Sequence, residues 1–132
     1  MKSQKDPRHK ARMKLVETMY VKKVNPSSLE LPEDVYTYDT ELFGKINKVA
    51  EENSAEIDSL IVNTAKRELH EIKNIEHVIL ILSLAESFFS DITPYKVSVD
   101  EAIELAREYG DEASASFVAG VLGAAYEKKL KN

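Results

Sequence analysis

The sequence predicts an all-α domain with at least five helices and no sheet. Two observations carry this. Four prolines and four glycines in 132 residues leave long uninterrupted windows, in which apolar residues recur every three or four positions. Sustained alternation of apolar and polar residues, the pattern of a half-buried strand, is absent. A chain of this length reads as one domain with a single sizeable core. It divides into a basic helix and tail over 1–24, a loop over 25–38 and a helical body over 39–132.

The first helix is expected to begin at Asp6-Pro7. Aspartate is a good N-cap and proline fits the first helical position. Ala11, Leu15 and Met19 follow one turn apart, joined by Val16 and Tyr20, and make a core-facing stripe. Asn25-Pro26 should end the helix near Val24. Asn25 to Tyr38 holds Pro26 and Pro32 and reads as a loop with at most one short helical turn. The next helix is expected from Asp39, with Leu42, Phe43, Ile46, Val49 and Ala50 on its apolar face. Ile57, Leu60 and Ile61 continue that face, while Asn53 and Glu56 have the spacing of a capping-box restart. On these residues, a break and a continuous helix both stay open.

Lys66 to Lys73 is polar, anchored by Leu69 and Ile72. Asn74 is expected to cap the most apolar segment, Ile75 to Phe89. Apolar residues cover nearly its whole circumference, which predicts a buried central helix. Its fifteen residues exceed the usual strand length of about 4–8. Leu82, Leu84 and Phe88 should be among the most buried side chains. Ser98 and Glu101 are spaced as a capping box opening the next helix. Its inner side would carry Val99, Ala102, Ile103, Ala106 and Tyr109, and Gly110 would close it as a C′ glycine. The last helix should run from about Glu112 to Lys129 on a core face of Phe117, Val118, Val121, Leu122 and Ala125. Gly120 and Gly123 each cost it ~1 kcal/mol against alanine; they read as points of close helix–helix approach.

Composition narrows the function classes. No run of about 18 apolar residues is present, so no membrane partner is expected. The charged start MKSQKDPRHKARMK lacks the apolar region of a secretory signal. Zero cysteines exclude disulfides, thiolate metal sites and cysteine catalysis. A cytoplasmic protein is expected. His9, His70 and His77 lack metal-ligand spacing, and there is no glycine-rich phosphate loop or nucleophile elbow. No catalytic residue, metal or cofactor is expected, and no enzyme activity.

Charge is segregated. Residues 1–24 hold eight lysines and arginines against Asp6 and Glu17, a net of +6; the other 108 residues hold ten basic and twenty-one acidic side chains, a net of −11. A basic arm on an acidic body is one form of nucleic-acid footprint, and a solvated helix end is the plainer reading of the same residues. Single-stranded RNA is held by cations on phosphates and by aromatic planes beneath splayed bases. The first helix offers Arg8, His9, Lys10 and Arg12 for the former.

Two segments resemble a known family. Pro94 to Leu122 (PYKVSVDEAIELAREYGDEASASFVAGVL) is similar to the closing helix pair of the NusB family, roughly PYKVxINEAVELAKxFGxExSxKFVNGVL. Arg8 to Tyr20 (RHKARMKLVETMY) resembles that family's basic helix, RRxARExALQxLY. The resemblance spans nearly the whole chain and is strongest at its two ends. It implies a compact bundle of about six to seven helices in two packed subdomains, with one long helix from Asp39 to about Ala65. It implies a transcription antitermination factor that binds boxA-type single-stranded RNA together with NusE, a small-subunit ribosomal protein, on elongating RNA polymerase. Ribosomal RNA synthesis is included in that role.

Residue by residue, the resemblance places Arg8, His9, Lys10 and Arg12 on the RNA, with Tyr95, Lys96, Tyr109 and Phe117 along its path. For Tyr109 and Phe117, core packing stays open beside stacking. Tyr20 matches the family's helix-end tyrosine, and Glu86 the glutamate of its ALYEL segment; both are implied on the NusE side. Some family members dimerise over their RNA surface, so a homodimer stays open. The chain also departs from the pattern. Ala119 replaces an asparagine, Ser116 a basic residue and Ile81 an arginine, and the arginine run is thinned to Arg8-His9-Lys10. These departures leave a second reading, a protein-interaction module of the same fold without RNA binding.

Overall fold

The computed structural model describes residues 6–27 and 36–131. Among them the chain forms six α-helices and no strand: α1 Pro7–Val24, α2 Thr40–Glu52, α3 Ser54–Ala65, α4 Asn74–Ser83, α5 Tyr95–Tyr109 and α6 Glu112–Lys131. A 3-10 turn, Leu69–Glu71, precedes α4, and a π-helical turn, Leu84–Phe88, follows it. Most of the loop expected over 25–38, and the tail with Lys2 and Lys5, lie outside the described residues. No helix among those described is long and apolar enough to cross a membrane.

Two caps form as the sequence predicts. The Asp6 carboxylate accepts from the Arg8 N–H at 3.0 Å and Asp39 from the Leu42 N–H at 2.9 Å. Asp39 also donates its own N–H to the Pro7 carbonyl at 3.0 Å, which pins the start of α2 to the start of α1.

Four local expectations are corrected. The long helix from Asp39 is broken at Asn53, whose side-chain amide donates to the Val49 carbonyl at 2.9 Å. A carboxamide that satisfies a terminal carbonyl competes with helix continuation. Lys73 rather than Asn74 is the N-cap of α4. α5 starts at Tyr95 behind Pro94, so Ser98 and Glu101 lie inside the helix, buried, and are not its capping box. Gly120 and Gly123 approach nothing: a Cβ there would meet no atom within 4 Å. The tight glycine is Gly110, where a Cβ would sit 2.7 Å from Ser114 Oγ and 2.8 Å from the Ala106 carbonyl. The turn there is closed by the Ser114 N–H donating to Asp111 at 2.8 Å, which caps α6. The same hydrogen bond holds the Asp111 carboxyl below its ordinary pKa.

α4 is the central helix. Val78, Ile79, Leu80, Leu82, Leu84 and Ala85 are buried along it and its π-helical turn. Around them pack Leu15 and Val16 of α1, Ile46 of α2, Ile61 of α3, Leu105 of α5 and Leu122 of α6. Phe88 is only half-buried. Its ring lies beside Phe89 and Tyr126, and the Lys129 ammonium stands 4.4 Å from its centroid.

Candidate nucleic-acid interface

α1 is basic along its length, but its cations have different fates. Arg12 is 2% exposed and Glu86 is fully buried. The guanidinium meets the carboxylate bidentately, Nε to Oε1 at 3.0 Å and Nη2 to Oε2 at 3.0 Å. Thr93 Oγ1 donates to Oε2 at 2.8 Å, and Ser98 Oγ lies 3.2 Å from Oε1. A buried charge pair holds only when its remaining lone pairs are satisfied, and these two hydroxyls satisfy them. The π-helical turn presents Glu86 to this point: the Phe89 N–H reaches back to the Leu84 carbonyl at 2.9 Å.

His9 is also buried. Its Nδ1 lies 2.9 Å from Glu101 Oε2 and its Nε2 3.6 Å from Glu108 Oε2. Arg12 Nη1 stands 3.9 Å from the same Glu101 oxygen. His9, Glu101 and Glu104 bring ligand atoms within 4.8 Å of one another, the spacing a metal ion needs. The His9–Glu101 contact and the neighbouring guanidinium already answer the charge of Glu101. Thus the resemblance puts Arg12 and His9 on RNA and Glu86 on NusE, whereas the structure turns all three inward, where they clasp α1 to α5 and the π-helical turn. Arg8 is exposed and Lys10 half-exposed on the outer side.

The aromatic candidates separate into three places. Tyr95 and Lys96 are exposed in the first turn of α5. The Tyr95 ring stacks on Tyr126, with centroids 5.1 Å apart and planes 25° from parallel. Burial pushes the Tyr126 phenol up to about 12, against the lowering effect of its hydrogen bond with Ser87. Tyr109 is half-buried and donates to Glu17 Oε2 at 2.7 Å, an oxygen that also accepts from Tyr36 at 3.1 Å. Burial first, and then Glu17, raise its pKa. Tyr109 and Tyr20 line one cavity of about 440 Å³ with Val16, Glu17, Val21 and Ile75. Tyr20, 39% exposed, is open to a partner there. Phe117 is half-buried, with the Arg67 guanidinium 4.8 Å from its centroid.

Sequence reasoning missed the groups that hold this surface in place. Thr93 and Tyr126 carry no local signal, Ser98 reads in the sequence only as a cap, and the Arg12–Glu86 pair spans 74 residues. The motif glutamates matched at Glu86 and Glu101 were the available hint, and both point inward.

The first helix is thus a basic helix clasped by buried ion pairs onto an all-helical core. The model of the NusB family matches residues 7–127, and the chain belongs to that family, which includes transcription antitermination proteins similar to this chain. NusB of Pasteurella multocida is 35% identical over 123 residues, covering 88% of this chain and 85% of the relative. The crystal form of T. maritima NusB is 25% identical, with a TM-score of 0.77 over 98% of this chain and 100% of that one. A chain from the crystal structure of antitermination factors NusB and NusE with dsRNA shares the fold at a TM-score of 0.75 and 23% identity, over 91% of this chain and 96% of that one.

Proposed function

We propose that the chain is a cytoplasmic antitermination factor. It binds boxA-type single-stranded RNA together with NusE on elongating RNA polymerase, ribosomal RNA transcription included, and acts without catalysis. Family membership supports the role, and the solved complex of other family members with NusE and dsRNA supports the partners. The observation that carries the RNA contact is the two-sided start of α1, over its first two turns. His9 and Arg12 hold the helix from below, and Arg8 and Lys10 are left to face outward. Lys96 and Tyr95 extend the track as a cation and a stacking plane, and Phe117 under Arg67 offers a second plane. Tyr20 and its cavity with Tyr109 form the protein-facing side.

The test is RNA binding over a salt series, with and without NusE. Each phosphate contact to a single strand contributes a slope of roughly 0.7 in log affinity against log salt. Arg8→Ala with Lys10→Ala should weaken all single strands and flatten that slope by about 1.4. Tyr95→Ala should instead lose ~1–3 kcal/mol of stacking. Binding no better than that of an acidic control protein at low salt, alone and with NusE, favours the interaction module without RNA. The net of −11 beyond residue 24 is the observation on that side.

A further inference from the structure

The cavity of about 440 Å³ beside Tyr20 holds a carboxylate that the motif match gives no role. Val16, Val21 and the Tyr20 ring line it from α1, Ile75 from α4 and the Tyr109 ring from the end of α5. Glu17 is the one acidic residue in this largely apolar wall among the described residues.

Three observations define what this place lacks. Glu17 is half-buried, and the hydrogen bonds it accepts both go to Oε2, from Tyr109 at 2.7 Å and from Tyr36 at 3.1 Å. Oε1 has no donor among the described residues, and it is accessible, unlike the buried unpaired atoms Thr64 Oγ1 and His77 Nδ1. Glu17 also enters none of the ion pairs among the described residues. After burial, the groups that raise the Tyr109 phenol are Glu17, then Tyr36 and Glu108, with no cation among them. A phosphate would be repelled by such a wall. An apolar side chain would cover Oε1 and leave a carboxylate stripped of water without a donor, which is costly. A long basic side chain meets both demands: its methylene stem packs on apolar surface while its charged head donates to the carboxylate. Tyrosine rings beside it add attraction for a cation.

We infer that this cavity receives a lysine or arginine side chain of the protein partner, its charged head on Glu17 Oε1 and its stem against Val16, Val21 and Ile75. The inference rests on the reading of Tyr20 and its cavity as the side that faces NusE, and it names what is recognised there, a basic side chain. Glu17 is then a specificity-determining residue of the interface. Tyr36 and Tyr109 position it: their phenols occupy Oε2 and leave Oε1 for the partner.

NusE is titrated calorimetrically into the whole chain, into Glu17→Gln and into Tyr20→Asp, over a salt series, with unfolding midpoints measured alongside. Glutamine keeps an oxygen for both phenols and removes the charge, so the fold is expected to stay. Glu17→Gln should weaken NusE binding roughly tenfold or more, as loss of a charged hydrogen bond does, and make it less sensitive to salt. Each lysine and arginine of NusE is then changed to methionine. One of these changes should cost roughly tenfold against the wild-type chain and little more against Glu17→Gln, the non-additivity of a contacting pair. On the wild-type chain, the carbon-13 resonance of the Glu17 carboxylate should move when NusE is added and move less with that methionine variant, a measurement that holds even if Glu17→Gln loses its fold. Weakened binding in Tyr20→Asp beside wild-type affinity in Glu17→Gln overturns the basic side chain alone, as do additive losses for every basic residue of NusE. Wild-type affinity in Tyr20→Asp overturns the NusE-facing reading and this inference together.

Discussion

At the scale of single residues, burial separates side chains of the same charge. Arg8→Ala removes a surface cation and should change stability by no more than about 0.5 kcal/mol. Arg12→Ala strands Glu86 in the core and should cost about 3–5 kcal/mol in urea unfolding. Equal, small losses for both would remove the buried clasp. Tyr20→Asp should weaken NusE binding at unchanged unfolding midpoint, because the ring is 39% exposed; a large loss of stability would return Tyr20 to the core. The phenols of the half-buried Tyr109 and the buried Tyr126 give a pH dependence. Tyr109 and Tyr126 are raised above their ordinary value of 10.0, Tyr126 to about 12. The unfolded chain therefore releases these protons first. Their contribution is complete below pH 10 and falls as pH rises above it, that of Tyr126 being lost as pH passes through about 12. Tyr126→Phe should flatten the fall in stability between neutral and strongly alkaline buffer, measured against wild type.

At the scale of elements, glycines and caps can be tested against one another. Gly120→Ala and Gly123→Ala should stabilise α6 by up to ~1 kcal/mol each, since nothing crowds the added methyl. Gly110→Ala should destabilise, because its Cβ would press on a backbone carbonyl 2.8 Å away. Thermal unfolding of the three variants reads both signs. Much of this level was legible in the sequence. Asp6, Asp39 and Gly110 marked real boundaries because caps and tight turns are local chemistry. Ser98 and Glu101 misled, since the spacing of a capping box is also the spacing of two residues on one buried helix face. The long helix implied over Asn53 failed for a similar reason: whether a carboxamide turns back onto its own helix is a rotamer choice that spacing does not record. The candidate site was legible only in outline. Its cations were visible, but the assignment of Arg12 to Glu86 and His9 to Glu101 depends on contacts across 74 and 92 residues, which one sequence does not display.

For the whole molecule, α4 is the hub. Leu82 is fully buried there, and Leu82→Ala should cost ~2–5 kcal/mol, seen as a lowered denaturant midpoint with an unchanged slope. The half-buried Phe88, expected deeper, should cost less on truncation to alanine than Phe residues of a closed core. The charge layout gives the molecule a direction. A net of +6 in the first 24 residues and −11 in the rest should orient an approaching polyanion towards α1, and added salt should slow that association.

The π-helical turn at Leu84–Phe88 has a consequence for heredity as well as for packing. A π-helical turn holds one residue more than an α-helical turn; losing Leu84 or Ala85 would move Glu86 back by one helical position, about 100° around the axis of α4, and carry it out of reach of Arg12. Point changes in this stretch can be graded in their effects, whereas a change of length cannot. The gene is therefore expected to accept apolar substitutions at codons 84 and 85 far more readily than an in-frame deletion of either, and a library carrying both kinds of lesion, sorted for folded protein, would display the difference directly.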